Sequence, residues 1–246
     1  MKTCLITGAS GGVATALAAR LRDAGWRLAL VSRRADELSP ADGDLAIAAD
    51  VATEAGAEAA MAQATEAFGQ VPDAVAHCAG AILIAPIGRT TESQYRACLG
   101  ANLDSAFFVA KAYAPRVQKA SQPGALLFFS SVAAGIGVAN HAAIAIAKGG
   151  VEALVRSLAA DFSGAGLRVN AIAPGLMRTP ATERMLSNES AARAIAGQYP
   201  LGRHGEADDA AALGAFLLSD AAGWISGQVI GLDGGFQAVR PYVKTA

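Results

Sequence analysis

Thr7-Gly8-Ala9-Ser10-Gly11-Gly12-Val13-Ala14 follows an apolar run, Cys4-Leu5-Ile6, and opens a segment of helical composition over residues 13–24 that stops at Gly25. A glycine-rich turn between a strand and a helix lets backbone N–H groups approach a pyrophosphate closely. The helix N-terminus adds about half a positive charge at the same spot. Gly8, Ser10, Gly11, Gly12 and Val13 are therefore the first candidates for a dinucleotide site. The spacing is Thr-Gly-x-x-x-Gly-x-Ala and not Gly-x-Gly-x-x-Gly, so on this motif alone a purely structural turn remains open.

Outward from this turn, short β-rich runs alternate with Ala-rich helical segments, the signature of repeated βαβ units and a parallel sheet. Beyond the first strand, the pattern predicts strands at 27–31, 45–49, 73–76, 125–129, 168–173 and 228–232. Helices are expected at 54–68, closed by Gly69; at 92–114, with Pro115 as a kink or boundary; and at 141–162, capped by Asn140. The result is an α/β, doubly wound fold with a seven-stranded, mainly parallel sheet and helices on both faces. One domain over 1–246 is expected, with no dividing linker. Residues 176–200 are polar and weakly periodic and read as a lid-like insertion over a site. Residues 236–246 would pack on another subunit or fray.

Of 246 residues, 53% are hydrophobic, enough for a sheet covered on both faces and too many for a disordered chain. The net charge of −1 leaves no basic footprint for nucleic acid or an anionic membrane surface, so small molecules are the expected ligands. Cys4, Cys78 and Cys98 are widely spaced, with neither a CxxC pair nor metal-ligand spacing. No metal is expected, and a reducing cytoplasm fits. Residues 2–8 lack the long apolar region of a signal peptide. Residues 124–147 carry no charge and are long enough to cross a bilayer. Ser130, Ser131, Gly135, Gly137, Asn140 and His141 interrupt them, and strand, loop and helix are expected there instead, with no membrane span.

Further motifs arrive in order. They are Asp50-Val51, His77-Cys78-Ala79-Gly80, Asn102-Leu103, Val169-Asn170-Ala171-Ile172-Ala173-Pro174-Gly175 with Thr179 beyond, Pro200-Leu201-Gly202-Arg203, and 226–235 (SGQVIGLDGG). Together with the turn they span nearly the whole chain, which resembles the short-chain dehydrogenase/reductase family, with a 3-oxoacyl-reductase-like pattern on a Rossmann fold. The family's last turn glycine is Ala14 here, one added methyl that removes no phosphate donor. His77-Cys78 stands in place of two asparagines. The resemblance implies that Asp50 and Val51 meet the adenine, that Ala79 and Gly80 lie beside the cofactor, and that Pro174, Gly175 and Thr179 hold its nicotinamide end. It also implies a homo-oligomer, tetramer or dimer.

The second strand ends Val31-Ser32-Arg33-Arg34. NAD sites place a carboxylate here for the ribose 2′-OH, whereas NADP sites offer an arginine to the 2′-phosphate. Ser32 stands where the acidic residue would be and Arg33 follows, so NADP (NADPH) is expected, with NAD less favoured. Alternatively, Arg33 and Arg34 form a solvated basic turn that pairs with Asp36 or Glu37.

By the same resemblance, Asn102, Ser131 and Lys148 occupy the family's catalytic asparagine, serine and lysine positions. The proton-transferring tyrosine lies one helical turn before the lysine, and there this chain has Ile144. The serine-to-144 spacing supports the alignment, and none of Tyr95, Tyr113, Tyr199 and Tyr242 restores the motif by a register shift. Isoleucine cannot titrate, and general acid–base catalysis is worth about 10²–10⁴ in rate. His141, on the same face of a continuous helix, is the leading substitute. Its alternative is a helix-start histidine bonded to backbone or water. Ile82, Leu83, Ile84, Ile144, Ile146 and Met177 suggest an apolar pocket or ordinary core. Three functions follow: an NADP(H)-dependent oxidoreductase on a carbonyl or alcohol substrate with an atypical site, an NADP(H)-binding pseudoenzyme or sensor, and a non-redox lyase or isomerase.

Overall fold

Every residue of the first strand, β1 (Thr3–Thr7), is buried, because a strand in the middle of a parallel sheet is covered on both faces. The computed structural model describes residues 1–240. After β1 come α1 (Gly12–Asp23), β2 (Arg27–Ser32), β3 (Leu45–Ala48), α2 (Glu54–Phe68), β4 (Ala74–His77), α3 (Glu92–Leu99), α4 (Ser105–Ala120), β5 (Gly124–Phe129), α5 (Val132–Gly135), α6 (Ala142–Asp161) and β6 (Leu167–Pro174). The chain continues through β7 (Met177–Arg178), α7 (Glu183–Leu186), α8 (Glu189–Ala196), β8 (Gly205–Glu206), α9 (Ala207–Leu218) and β9 (Val229–Leu232). Seven strands form one sheet in the order β3-β2-β1-β4-β5-β6-β9, parallel throughout. This is the expected doubly wound Rossmann fold. Strand order reverses between β1 and β4, and the crevice at their carboxyl ends is where such sheets bind ligands.

Alternate residues of the strands feed two cores. Leu5, Ala29, Val31 and Ile47 pack with Met61 of α2, Tyr113 of α4 and Val155 of α6. Cys4, Ile6, Leu28 and Leu30 pack on the other face with Leu17 and Leu21 of α1 and Leu217 of α9. Ala14 is buried in that second core, so the methyl that replaces a family glycine is accommodated. Local signals set several helix ends: Thr53 accepts from Gly56 N (3.1 Å) at the start of α2, and Gly69 closes it at φ +71°. Thr91 and Gln94 form a capping box on α3.

Three expectations need correction. Pro115 neither ends nor bounds its helix, since α4 runs on to Ala120. Burial of Tyr113, Ala114 and Val117 holds the helix together past the missing N–H, and the Arg116 guanidinium donates to the Ala112 carbonyl (2.7 Å). The helix expected over 92–114 contains a π-turn at Gly100–Asp104. Asn140 does not cap α6: its φ of +64° lies in the left-handed region, whereas an N-cap needs extended backbone, and His141 flanks the helix without a side-chain cap bond.

Residues 176–200 carry β7, α7 and α8, and β7 pairs with β8 to form a second small sheet. Residues 124–147 are divided among β5, α5 and the start of α6. Among the described residues no helix is long and apolar enough to cross a membrane. Of the tail expected over 236–246, Phe236 packs on Tyr199 with ring centroids 5.1 Å apart, while 241–246, with Tyr242, lie outside the described residues.

Gly8 binds the crevice together. Its φ is +62°, and a Cβ there would lie 2.6 Å from both N and Cα of Ala79. Gly8→Ala is expected to lower stability by about 3 kcal/mol or more, because backbone cannot yield as a side chain can. Gly25 (φ +78°) has open space around it, so Gly25→Ala should lose only about 1 kcal/mol. Equal shifts of the two urea midpoints would rule out the close approach as the cause.

Candidate active site

The turn after β1 is tied to β2 by Ala9 N donating to Val31 O (3.0 Å) and closed by Gly11 N on Gly8 O (2.9 Å). The α1 N-terminus behind it has no side-chain cap and no acidic residue in its first turn. Ser10 and Gly11 are exposed, and Val13 is half-buried. A Cβ at Gly12 would lie 3.0 Å from Pro180 and 3.2 Å from Thr179, so the start of the 176–200 segment sits on the turn. An uncapped helix N-terminus behind a glycine cradle fits a pyrophosphate.

Ser32, buried at the end of β2, donates through Oγ to Glu37 Oε2 (3.3 Å), and Arg34 forms an ion pair with the same carboxylate. Arg33 is exposed and has no ion pair among the described residues. Asp50 turns Oδ1 onto Ala52 N (3.1 Å) beside buried Val51. At the end of β6, Pro174-Gly175 lies beneath Tyr199, whose hydroxyl accepts from Leu176 N (2.7 Å). Tyr199 is therefore committed to holding that loop. Thr179 N donates to Thr182 Oγ1 (3.0 Å).

Past β4, Gly80 faces Asn102 and Lys148. A Cβ at Gly80 would stand 2.8 Å from Asn102 Oδ1 and 3.5 Å from Lys148 Nζ, so two of the sequence candidates converge here. The π-turn aims Asn102: its amide donates to Cys98 O (2.9 Å) and Ala81 O (3.0 Å). Lys148 Nζ donates to Phe129 O (2.7 Å). Burial lowers its pKa to about 8, against the opposing influence of Cys98 and then Cys78. Ser131, two residues past Phe129, accepts from Ala133 N (3.2 Å) as the N-cap of α5.

Ile144 is buried one turn before Lys148 with Cys98 and Ala143, and Leu83 and Tyr95 pack against them. Sequence reasoning missed this place for Tyr95, whose helix carries no signal for it. Ile146 and Ile82, expected in the same pocket, are 55% and 53% exposed. Residue 146 lies two positions on from 144, hence across the helix. Met177 is buried in the small sheet, against Gly205. His141 precedes α6 rather than lying inside it, and its Nδ1 donates to Ala139 O (2.6 Å).

His77 is buried where the family has asparagine. Ser105 must give its one hydroxyl proton to Ala101 O (2.8 Å), so His77 Nε2 donates to Ser105 (3.1 Å). His77 Nδ1 then accepts from Thr7 Oγ1 (2.8 Å). Burial, and after it the charge of Lys148, lowers its pKa to about 3, keeping it neutral. A hollow of about 960 Å³ lies at the opposite, N-terminal edge of the sheet, around Trp26, Gly124, Arg168 and Trp224. None of the sequence-predicted site residues lines it.

A family model described as enoyl-(acyl carrier protein) reductase matches residues 8–237. A short-chain type dehydrogenase/reductase from Mycobacterium ulcerans superposes with a TM-score of 0.90 at 30% identity, covering 97% of this chain and 90% of that one. The chain belongs to the short-chain dehydrogenase/reductase family. This dehydrogenase/reductase is 35% identical to a probable 2,4-dienoyl-CoA reductase of Bacillus subtilis, over 98% of each chain. It also resembles the 3-ketoacyl-(acyl-carrier-protein) reductase of Brucella melitensis, solved with NADH (TM-score 0.88, 26% identity, 96% and 98% coverage).

Lys148 yields a signed test. Its folded pKa is below the unfolded value near 10.5, so from about pH 8 to 10.5 the unfolded chain binds more protons and this residue's contribution to stability rises with pH. Below pH 8 the buried charge costs on the order of 3 kcal/mol. Lys148→Met should therefore be more stable than wild type in urea at pH 7, and the gap should close by pH 10. A gap independent of pH would show that the ammonium is not buried at a cost.

Proposed function

We propose that this chain is an NADP(H)-dependent oxidoreductase acting on a carbonyl or alcohol carbon of a small molecule, with its proton carried by a group other than a tyrosine at position 144. The observation that carries the reading is the convergence of Asn102 Oδ1 and Lys148 Nζ on Gly80, beside a glycine turn that fits a pyrophosphate. When bound, the nicotinamide cofactor supplies the hydride chemistry. The chain's own part is to hold and orient. Gly8, Ser10, Gly11, Gly12 and Val13 cradle the pyrophosphate, and Arg33, with Ser32 and Arg34, meets the 2′-phosphate. Asp50 and Val51 border the adenine, while Ala79, Gly80, Pro174, Gly175 and Thr179 border the nicotinamide end. Lys148 holds the ribose, Ser131 binds the substrate oxygen, and Asn102 orders the relay around Lys148. Residues 176–200 act as the lid of one domain. By analogy with the family, we take the chain to act as a cytoplasmic homo-oligomer, tetramer or dimer.

Three groups near Ile144 can move a proton: Lys148 Nζ one turn on, the Tyr95 hydroxyl from the neighbouring helix, and His141 at the helix start. A second reading, a protein that binds NADP(H) without turning it over, is favoured by the apolar packing of Ile144.

NADPH oxidation over ketones, aldehydes, quinones and conjugated enones separates them. Wild type is expected to turn over, and Ile144→Tyr to be faster by about 10²–10⁴ on simple ketones. Turnover by Ile144→Tyr alone would establish the binding protein. Loss of wild-type turnover in His141→Ala or in Tyr95→Phe identifies the proton carrier, and retention in both leaves Lys148 or water.

A further inference from the structure

Glu37 is the unexpected occupant of the site that reads the ribose. Ser32 stands where a carboxylate would select NAD, and Arg33 beside it is free to meet a 2′-phosphate. Yet the turn at 35–37 folds a carboxylate back onto that position: Ser32 Oγ donates to Glu37 Oε2 (3.3 Å). Arg34 clamps it from the far side, and Arg34 N donates to the same Ser32 hydroxyl (3.4 Å). The anchor is firm because Ser32 is buried and its strand end is bonded onward, Ala49 N to Ser32 O (2.9 Å). Sequence supplies the arginine of an NADP site, and folding adds the acid of an NAD site.

We infer that Glu37 is a specificity-determining residue of the adenosine end, tempering the preference for a 2′-phosphate that Arg33 confers. The inference rests on the dinucleotide reading above. A 2′-hydroxyl meets Glu37 as a hydrogen-bond acceptor. A 2′-phosphate must displace it from Ser32, and Arg34 then passes from Glu37 to the phosphate. Charge removal at Glu37 therefore strengthens binding of the phosphorylated ribose, whereas the unphosphorylated one keeps an amide acceptor in Glu37→Gln and loses only the charge assistance of one hydrogen bond. Loss of Arg34 acts in the opposite direction, since it leaves the carboxylate uncompensated beside the phosphate.

Calorimetric titration of the full chain with adenosine 2′,5′-bisphosphate and with 5′-AMP tests this without turnover. Glu37→Gln keeps the shape and removes the charge. It should bind the 2′,5′-bisphosphate about tenfold more tightly than wild type, with 5′-AMP unchanged or weakened by a few-fold at most and the gap narrowing at high salt. Arg34→Ala and Arg33→Ala should each weaken the 2′,5′-bisphosphate. Glu37→Ala, which cannot bond to Ser32 at all, should match or exceed the gain of Glu37→Gln. If Glu37→Gln and Glu37→Ala bind the 2′,5′-bisphosphate within about twofold of wild type, or if both probes shift together, the inference is overturned while the dinucleotide reading stands. Absence of binding by both probes to every protein overturns the dinucleotide reading and the inference with it.

Discussion

The approach of Gly8 to the backbone of Ala79 is the contact on which the rest of the site depends. It brings the turn after β1 within van der Waals distance of the chain leaving β4, at the place where the strand order reverses. Two further bonds hold the same strands in register, Cys78 N to Thr7 O (3.2 Å) and Thr7 Oγ1 to His77 Nδ1 (2.8 Å). With β4 fixed against β1, Gly80 falls between Asn102 and Lys148. Those side chains reach it from the π-turn ahead of α4 and from the middle of α6, elements remote from each other in sequence. The phosphate cradle and the polar cluster are thus consequences of one backbone packing.

Burial then divides the charges of that cluster. His77 and Lys148 both lie in low dielectric, but His77 has its two ring nitrogens satisfied by hydroxyls as a neutral ring, and protonation would force the Thr7 hydroxyl from donor to acceptor. Lys148 keeps an ammonium bonded to the Phe129 carbonyl, and its charge helps to keep His77 neutral. The groups that act on Lys148 in the opposite direction are the thiols of Cys98 and Cys78, and burial pushes Cys78 up to about 12, so neither supplies a counter-charge near neutrality. A buried cation with no carboxylate paired to it among the described residues attracts an anion or an electron-rich oxygen.

The sheet was legible because buried parallel strands read as short apolar runs, and Gly8, Gly25 and Gly69 marked turns by the left-handed backbone that glycine adopts most readily. What was illegible is tertiary. Nothing local distinguishes the π-turn at Gly100–Asp104 from the helix around it, since it forms where Asn102 finds the Cys98 and Ala81 carbonyls. Pro115 argued locally for a boundary and lost to the packing of its neighbours. Asn140 is a good capping residue by type but sits in a conformation that cannot cap. Glu37 was offered by the sequence as a partner for Arg33 or Arg34, which it is for Arg34, but its bond to Ser32 is made by the fold alone.

Ile144 is more than a missing hydroxyl. Where a polar group is deleted from a buried site without adjustment, its former partners are left unpaired at about 1–3 kcal/mol each. Here no buried side-chain nitrogen or oxygen among the described residues lacks a partner. Lys148 is satisfied by Phe129, Asn102 by Cys98 and Ala81, and Ser131 by Ala133. The isoleucine itself is sheathed by Cys98, Ala143, Leu83 and Tyr95, contacts that favour an aliphatic side chain over a phenol. The crevice is therefore polar at the turn of Lys148 and apolar at the turn before it. Such a division is the mark of a site repacked around its isoleucine, and whatever binds there meets a cation on one side and a hydrocarbon wall on the other.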